Sequence, residues 1–115
     1  MMNGYDKQEA LDFILKRIHA KDHPDLADRI PDLISQAIDA DMAYMHENHV
    51  IDEEGNAGTE YYENDDAFEY MVEKLAAENR LDPVKAVKLA SLVDDYMDYQ
   101  QEYLESKGLV GWDDE

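Results

Sequence analysis

Apolar side chains recur every three or four residues in four segments of this 115-residue chain, and this spacing constrains the fold more than any other feature. A period of 3.6 residues places side chains along one face of an α-helix, whereas a strand alternates with a period of two. Each segment therefore predicts a helix with one face turned toward a core. In chain order the apolar faces are Leu11, Ile14, Leu15 and Ile18; Ile30, Ile34, Ala37, Ile38, Met42 and Met45, flanked by Leu33 and Tyr44; Phe68, Met71, Val72, Leu75 and Ala76; and Ala86, Leu89, Ala90, Val93, Met97 and Leu104, with Tyr96 at the edge.

Local signals set the ends of the first predicted helix. Asp6 followed by Glu9 has the form of a capping box, which predicts the helix start at this point. Pro24 disfavours helical backbone in the residue before it, so the helix is expected to end near Lys21.

The last predicted helix has the clearest ends. Asp82 is a good N-cap, and Pro83 suits the first helical position. Gly108 is expected to end the helix in a left-handed conformation, with Leu109 packed against Leu104. The two middle helices are expected over residues 31–48 and 64–80.

The helical period is broken over residues 50–63, where glycine and asparagine are turn signals. This segment predicts one long acidic loop, with a short hairpin that pairs Val50 and Ile51 with Tyr61 and Tyr62 as an alternative. The sequence thus predicts an all-α fold, a compact bundle of about four helices with one long loop. Residues 1–109 are expected to form a single domain, and residues 110–115 an acidic tail.

Charge is the most unusual property of the composition. Lysine and arginine number 10 against 29 aspartates and glutamates, which gives a formal net charge of −19. No lysine or arginine occurs between Arg29 and Lys74. Such a surface repels nucleic acid and anionic membranes and attracts a protein with a basic surface. The alternative is that the charge serves only solubility.

The predicted contacts with a basic protein lie in the acidic middle of the chain and on the last helix. Asp94, Asp98, Glu102 and Glu105 follow one another at three- or four-residue spacing and share one helix face. Such a ladder can dock on a basic patch or imitate the phosphates of a nucleic acid, and a simply solvated face is the alternative. The full predicted set is Asp39, Glu47, Glu53, Glu54, Glu60, Glu63, Asp94, Asp98, Glu102 and Glu105.

The loop from Asp52 to Glu63 has the oxygen-ligand spacing of an EF-hand calcium loop. Ala57 stands where that loop requires glycine, and Thr59 stands where an aliphatic residue is usual. An acidic surface loop is therefore the favoured interpretation, and calcium binding is the alternative. Its ligands would be Asp52, Glu54, Asn56, Glu60 and Glu63.

Two polar residues interrupt predicted apolar faces. Asp41 lies between Ile38 and Met45, and Gln100 lies on the core side of the last helix. A buried carboxylate needs a partner. The sequence offers an arginine (Arg17, Arg29 or Arg80) or a tyrosine hydroxyl as that partner, and a position facing a groove is the alternative.

No catalytic motif emerges, so an enzyme is not expected, and no cofactor is predicted. The chain has no cysteine, which removes disulfides and thiolate chemistry and favours a reducing, cytoplasmic location. No signal peptide and no membrane-spanning segment are expected, because the apolar runs are too short.

Three stretches resemble a known group of proteins: HPDLADRIPDLISQAIDADMAYM from residue 23, YYENDDAFEYMVEKL from residue 61, and the ending KGLVGWDDE. Together they look like the small acidic transposon-encoded proteins of conjugative transposons in Gram-positive bacteria. The resemblance implies a helical domain with an accessory role in a mobile genetic element. It implies no particular site residues.

Overall fold

The computed structural model describes residues 4–51, 58 and 62–108. These residues form an all-α fold, as the sequence predicts. The elements are α1 (Lys7–Leu15), two short 3-10 turns (Ala20–Asp22 and Ala27–Arg29), α2 (Ile30–Glu47), α3 (Asn64–Glu78) and α4 (Pro83–Ser106). Within the described ranges, no helix is both long and apolar enough to cross a membrane.

Helices α2 and α4 form the middle of the bundle, since they contact each other and both also contact α1 and α3. The core lies between these faces. Its fully buried large side chains include Ile14, Leu33, Ile34, Ile38, Met71, Leu75, Leu89, Leu92, Val93, Tyr96 and Tyr103.

Helix α1 begins as predicted and ends earlier. Asp6 Oδ1 accepts a hydrogen bond from Glu9 N at 3.0 Å. The predicted end near Lys21 is wrong, because the helix stops at Leu15 and His19 is extended. This early exit lets Ile18 and His23 enter the core, where they are 8% and 5% exposed. The free energy gained by burying these two side chains outweighs the local preference for continuing the helix to Lys21.

Helices α2, α3 and α4 are each followed by a residue in the left-handed conformation, at His49 (φ 62°), Arg80 (φ 54°) and Gly108 (φ 68°). After α3, Leu81 N donates to Ala76 O and Arg80 N donates to Ala77 O, which is a Schellman ending. The predicted role of Gly108 is confirmed, whereas the predicted contact of Leu109 lies outside the described residues.

The buried face of α4 is rotated relative to the prediction. Leu92, Tyr96 and Tyr103 are buried, whereas Ala86, Ala90, Met97 and Leu104 are only partly covered. Apolar periodicity gives tyrosine too little weight here, because its ring can be buried while its hydroxyl reaches a polar partner. That partner is Asp41 in the core for Tyr96 and the exposed Glu9 of α1 for Tyr103.

The predicted loop returns to the end of α2 at Gly58. Gly58 N donates to Val50 O at 2.9 Å, and a Cβ atom at Gly58 would lie only 2.1 Å from His49 O. Glycine is therefore required for this close approach. The described residues contain no strand, and Tyr61, part of the alternative hairpin, lies outside them. The predicted acidic tail, residues 110–115, also lies outside.

Candidate functional site

A buried hydrogen-bond network is centred on Asp41 of α2, which is 2% exposed. Tyr62, which precedes α3, donates to Asp41 Oδ1 at 2.7 Å. Tyr96 of α4 donates to Asp41 Oδ2 at 2.8 Å. The carboxylate therefore joins α2, α4 and the segment that leads into α3. Of the predicted partners, the tyrosine hydroxyl is confirmed and the arginine is wrong.

The three arginines considered as partners lie elsewhere or make other contacts. Arg17 lies over the ring of Phe13 and approaches Glu102, and Arg29 donates to Asn79. Arg80 occupies the left-handed position after α3. Tyrosine hydroxyls suit the site better, because a neutral donor can be buried without bringing a second charge into the core.

Gln100 extends the network toward the N-terminal segment. Tyr5 donates to Gln100 Oε1 at 2.8 Å, and both residues are buried. The Gln100 amide lies close enough to Asp41 to lower its pKa, yet Nε2 forms no hydrogen bond of ordinary geometry with any described residue. Gln100 is thus buried with one polar atom unpaired.

Burial is the main influence on the Asp41 carboxyl and raises its pKa from 3.8 to about 6. Tyr62, Tyr96 and Gln100 act in the opposite direction by hydrogen bonding to the ionised form. Burial also raises the pKa of Tyr5, Tyr62 and Tyr96, and the Asp41 charge adds to each of these increases.

The second feature is the exposed face of α4. Its C-terminal half presents the predicted ladder of Asp94, Asp98, Glu102 and Glu105, and all four residues are exposed. The nearest described cation is Arg17, whose Nε lies 3.9 Å from Glu102 Oε1. The sequence-predicted ladder is therefore available at the surface.

The N-terminal half of the same face carries two exposed valines, with the exposed Lys88 next to one of them. Val84 and Val87 are 68% and 69% exposed and are the large hydrophobic side chains exposed in the described part of the chain. Val87 lines an open cavity of about 260 Å³, together with Asp22, His23, Pro24, Asp25, Lys88 and Ser91.

His23, which lines this cavity, belongs to a histidine–carboxylate pair. His23 Nε2 lies 2.7 Å from Asp95 Oδ2, and the His23 side chain is 3% exposed. Lys88 Nζ lies 3.7 Å from Asp25 Oδ2, and both residues also line the cavity. Sequence reasoning did not find the pair, since its residues are 72 positions apart in the sequence. The one local signal was a histidine directly before Pro24.

The other predicted contact residues are separated in the fold. Asp39 is exposed on α2 and forms an ion pair with Lys7 at 2.9 Å. Glu47 accepts a hydrogen bond from Tyr70, and Glu63 is exposed just before α3. The residues Asp52, Glu53, Glu54, Asn56 and Glu60 lie outside the described ranges, so the calcium loop stays a prediction. Elsewhere, the described side chains contain no group of three or more histidines and acids placed to hold a metal ion.

Comparisons with protein families, with curated proteins and with solved structures find no match for this chain.

Proposed function

We propose that this chain is a non-enzymatic interaction module that binds a basic protein along the exposed face of α4. The supporting observation is that two kinds of side chain lie on different halves of that face. Exposed valines lie in the first half and exposed carboxylates in the second. From Val84 to Glu105 the face extends about 32 Å, at about 1.5 Å per residue. That length matches a helix or an extended segment of a partner.

The acidic half favours a partner rich in lysine and arginine. Like charges one helical turn apart cost roughly 0.2–0.5 kcal/mol per pair, so the ladder destabilises α4 while it is unpaired. Basic side chains of a partner would remove this repulsion. Electrostatic attraction at a net charge of −19 would also speed the encounter.

The apolar half supplies the part of the interface that excludes water. Exposed hydrophobic side chains beside a cavity are typical of docking surfaces, in which a few apolar contacts provide much of the binding energy. We therefore expect the partner to present an apolar side chain to Val84 and Val87 and basic side chains to the ladder.

The experiment compares two variants of equal charge. In one, Asp94, Asp98 and Glu105 on α4 are changed to lysine. In the control, the same change is made at Glu69, Glu73 and Glu78, which are exposed on α3. A photo-crosslinking amino acid at Ser91 first identifies the protein bound to α4 in a bacterial lysate, and that protein is then purified.

We expect the α4 variant to weaken binding of the purified partner by about tenfold or more, and the α3 variant to weaken it much less. Circular dichroism confirms that both variants fold. Equal losses would show that only overall charge matters and would contradict the proposed surface.

A nucleic-acid decoy is the second candidate, since successive ladder carboxylates lie about 4.5–6 Å apart along the helix axis and can imitate phosphates. Competition distinguishes the two candidates. If DNA or RNA displaces the chain from its crosslinked partner, the partner uses its nucleic-acid site and the decoy is favoured. If neither DNA nor RNA displaces the chain, the decoy is excluded.

The resemblance to transposon-encoded proteins supports an accessory role in a mobile genetic element, and a cytoplasmic location belongs to the same proposal because a cysteine-free chain suits a reducing compartment.

Calcium binding by residues 52–63 is a third, separate proposal. It requires that millimolar calcium raise the melting temperature, and an unchanged melting temperature would exclude it.

A further inference from the structure

One buried nitrogen of the Asp41 network, Gln100 Nε2, has no hydrogen-bond partner among the described residues, and it lies on the residue that links Asp41 to Tyr5. We propose that Asp41 is a buried proton-binding site and that Gln100 turns its side-chain amide when the proton is taken up.

In the ionised state, the Asp41 carboxylate only accepts hydrogen bonds. Tyr62 and Tyr96 donate to its two oxygens, at 2.7 and 2.8 Å. The Gln100 amide must then turn its NH₂ group toward the carboxylate, while its oxygen accepts from Tyr5. In this arrangement Nε2 forms no hydrogen bond of ordinary geometry with the residues that the structure describes.

In the protonated state, one Asp41 oxygen becomes a donor and needs an acceptor. Each carboxyl oxygen has two acceptor positions, so both tyrosine bonds can remain. A half-turn of the Gln100 amide brings Oε1 toward the Asp41 hydroxyl and Nε2 toward the Tyr5 hydroxyl, which can accept as well as donate. The proton comes from solvent, and no covalent bond other than the O–H bond forms.

The residues around Asp41 favour its protonated form. The groups around Asp41 are neutral: Tyr62 from the segment before α3, Tyr96 and Gln100 from α4, Tyr5 from the N-terminal segment, and Tyr44 from α2 itself. Within the described part of the chain, no lysine or arginine lowers the pKa of Asp41. The pKa of every one of these tyrosines is raised, so Asp41 is the member of the network that titrates in the acid-to-neutral range.

The test follows the unmodified chain by NMR between pH 4 and 8, with carbon-13 in the aspartate carboxyls and nitrogen-15 in the glutamine amides. We expect the Asp41 carboxyl to titrate near pH 6. The Gln100 amide resonances should move with the same midpoint. This measurement needs no variant and therefore cannot fail through misfolding.

Two variants of equal net charge test whether the movement of the Gln100 amide resonances is caused by Asp41. Asp41→Asn should abolish the movement of the Gln100 amide, whereas Asp39→Asn, two residues away and exposed on the same helix, should leave it unchanged. An Asp41 carboxyl with no midpoint inside this pH range, as its ordinary pKa of 3.8 would give, would overturn the proton site. A Gln100 amide that stays still through the Asp41 transition would overturn the proposed turn of the amide.

Discussion

At the scale of single residues, Asp41 shows how a carboxylate can occupy the core of a small helical protein without a cation. Burial makes the charged form costly, and two tyrosine hydroxyls offset part of that cost. Because both donors are neutral, they bring no opposite charge to Asp41. They stabilise its charged form through hydrogen bonds alone. Removing the charge of Asp41 should therefore cost less stability than removing its carboxyl oxygens.

Replacing Asp41 by alanine should lower the free energy of unfolding by about 2–4 kcal/mol, because two buried tyrosine hydroxyls lose their acceptor. Asp41→Asn keeps an acceptor oxygen and removes the buried charge, so its cost should be within about 1 kcal/mol. Urea denaturation at neutral pH measures both values. Equal losses in the two variants would show that the charge itself is required.

Arg80 offers a gain in stability at a single position. Its left-handed backbone costs a residue with a Cβ atom about 1–2 kcal/mol relative to right-handed helix. Arg80→Gly should therefore raise the free energy of unfolding by about 0.5–1 kcal/mol. Arg80→Ala keeps the Cβ atom and serves as the control, with no gain expected. If Arg80→Ala raises the free energy of unfolding as much as Arg80→Gly does, the gain does not come from relief of backbone strain.

At the scale of helices, α4 depends on its cap as well as on its packing. Asp82 Oδ1 accepts a hydrogen bond from Lys85 N at 2.8 Å, and Pro83 follows it. Asp82→Ala should lower the free energy of unfolding by about 1 kcal/mol. Lys85→Ala removes an exposed side chain and keeps the same N–H donor, so it should have little effect. A similar loss in both variants would argue against the cap.

The helix ends that could be predicted from the sequence are those with local chemical causes. Asp82 with Pro83 and the glycine at 108 act on their immediate neighbours, so their positions were predicted correctly. The end of α1 has a distant cause, because it depends on burying Ile18 and on the contact of His23 with Asp95. No local pattern contains that information.

The same reasoning applies to the candidate sites. Asp41 and Gln100 could be identified because a polar residue interrupted an apolar face. Their partners could not be fixed, since the chain has eight tyrosines and several arginines, and only the packing of α2 against α4 selects Tyr96. The α4 ladder was predictable because its carboxylates lie within one helix.

At the scale of the whole molecule, acidification should stabilise the fold. The folded pKa of Asp41 is above its ordinary value, so the native state binds the proton more tightly, and stability is lost as the pH rises through about 6. From pH 5 to pH 8 this contributes a loss of about 1–2 kcal/mol. Growing self-repulsion at a formal net charge of −19 acts in the same direction.

Urea denaturation of the native chain and of Asp41→Asn at pH 5 and 8 separates the two contributions. Both proteins should lose stability from self-repulsion, and only the native chain should lose the further part due to Asp41. Parallel behaviour of the two proteins would show that Asp41 does not take up a proton in this range.

The tyrosines around Asp41 give the fold an optical signature at alkaline pH. Burial raises the pKa of Tyr5, Tyr62 and Tyr96, so these phenols resist ionisation while the bundle is intact. Once the helices separate, all three should ionise together. Phenolate absorbance should therefore rise in a step that coincides with loss of the helical circular dichroism signal, and the chain would report its own alkaline unfolding without an added dye.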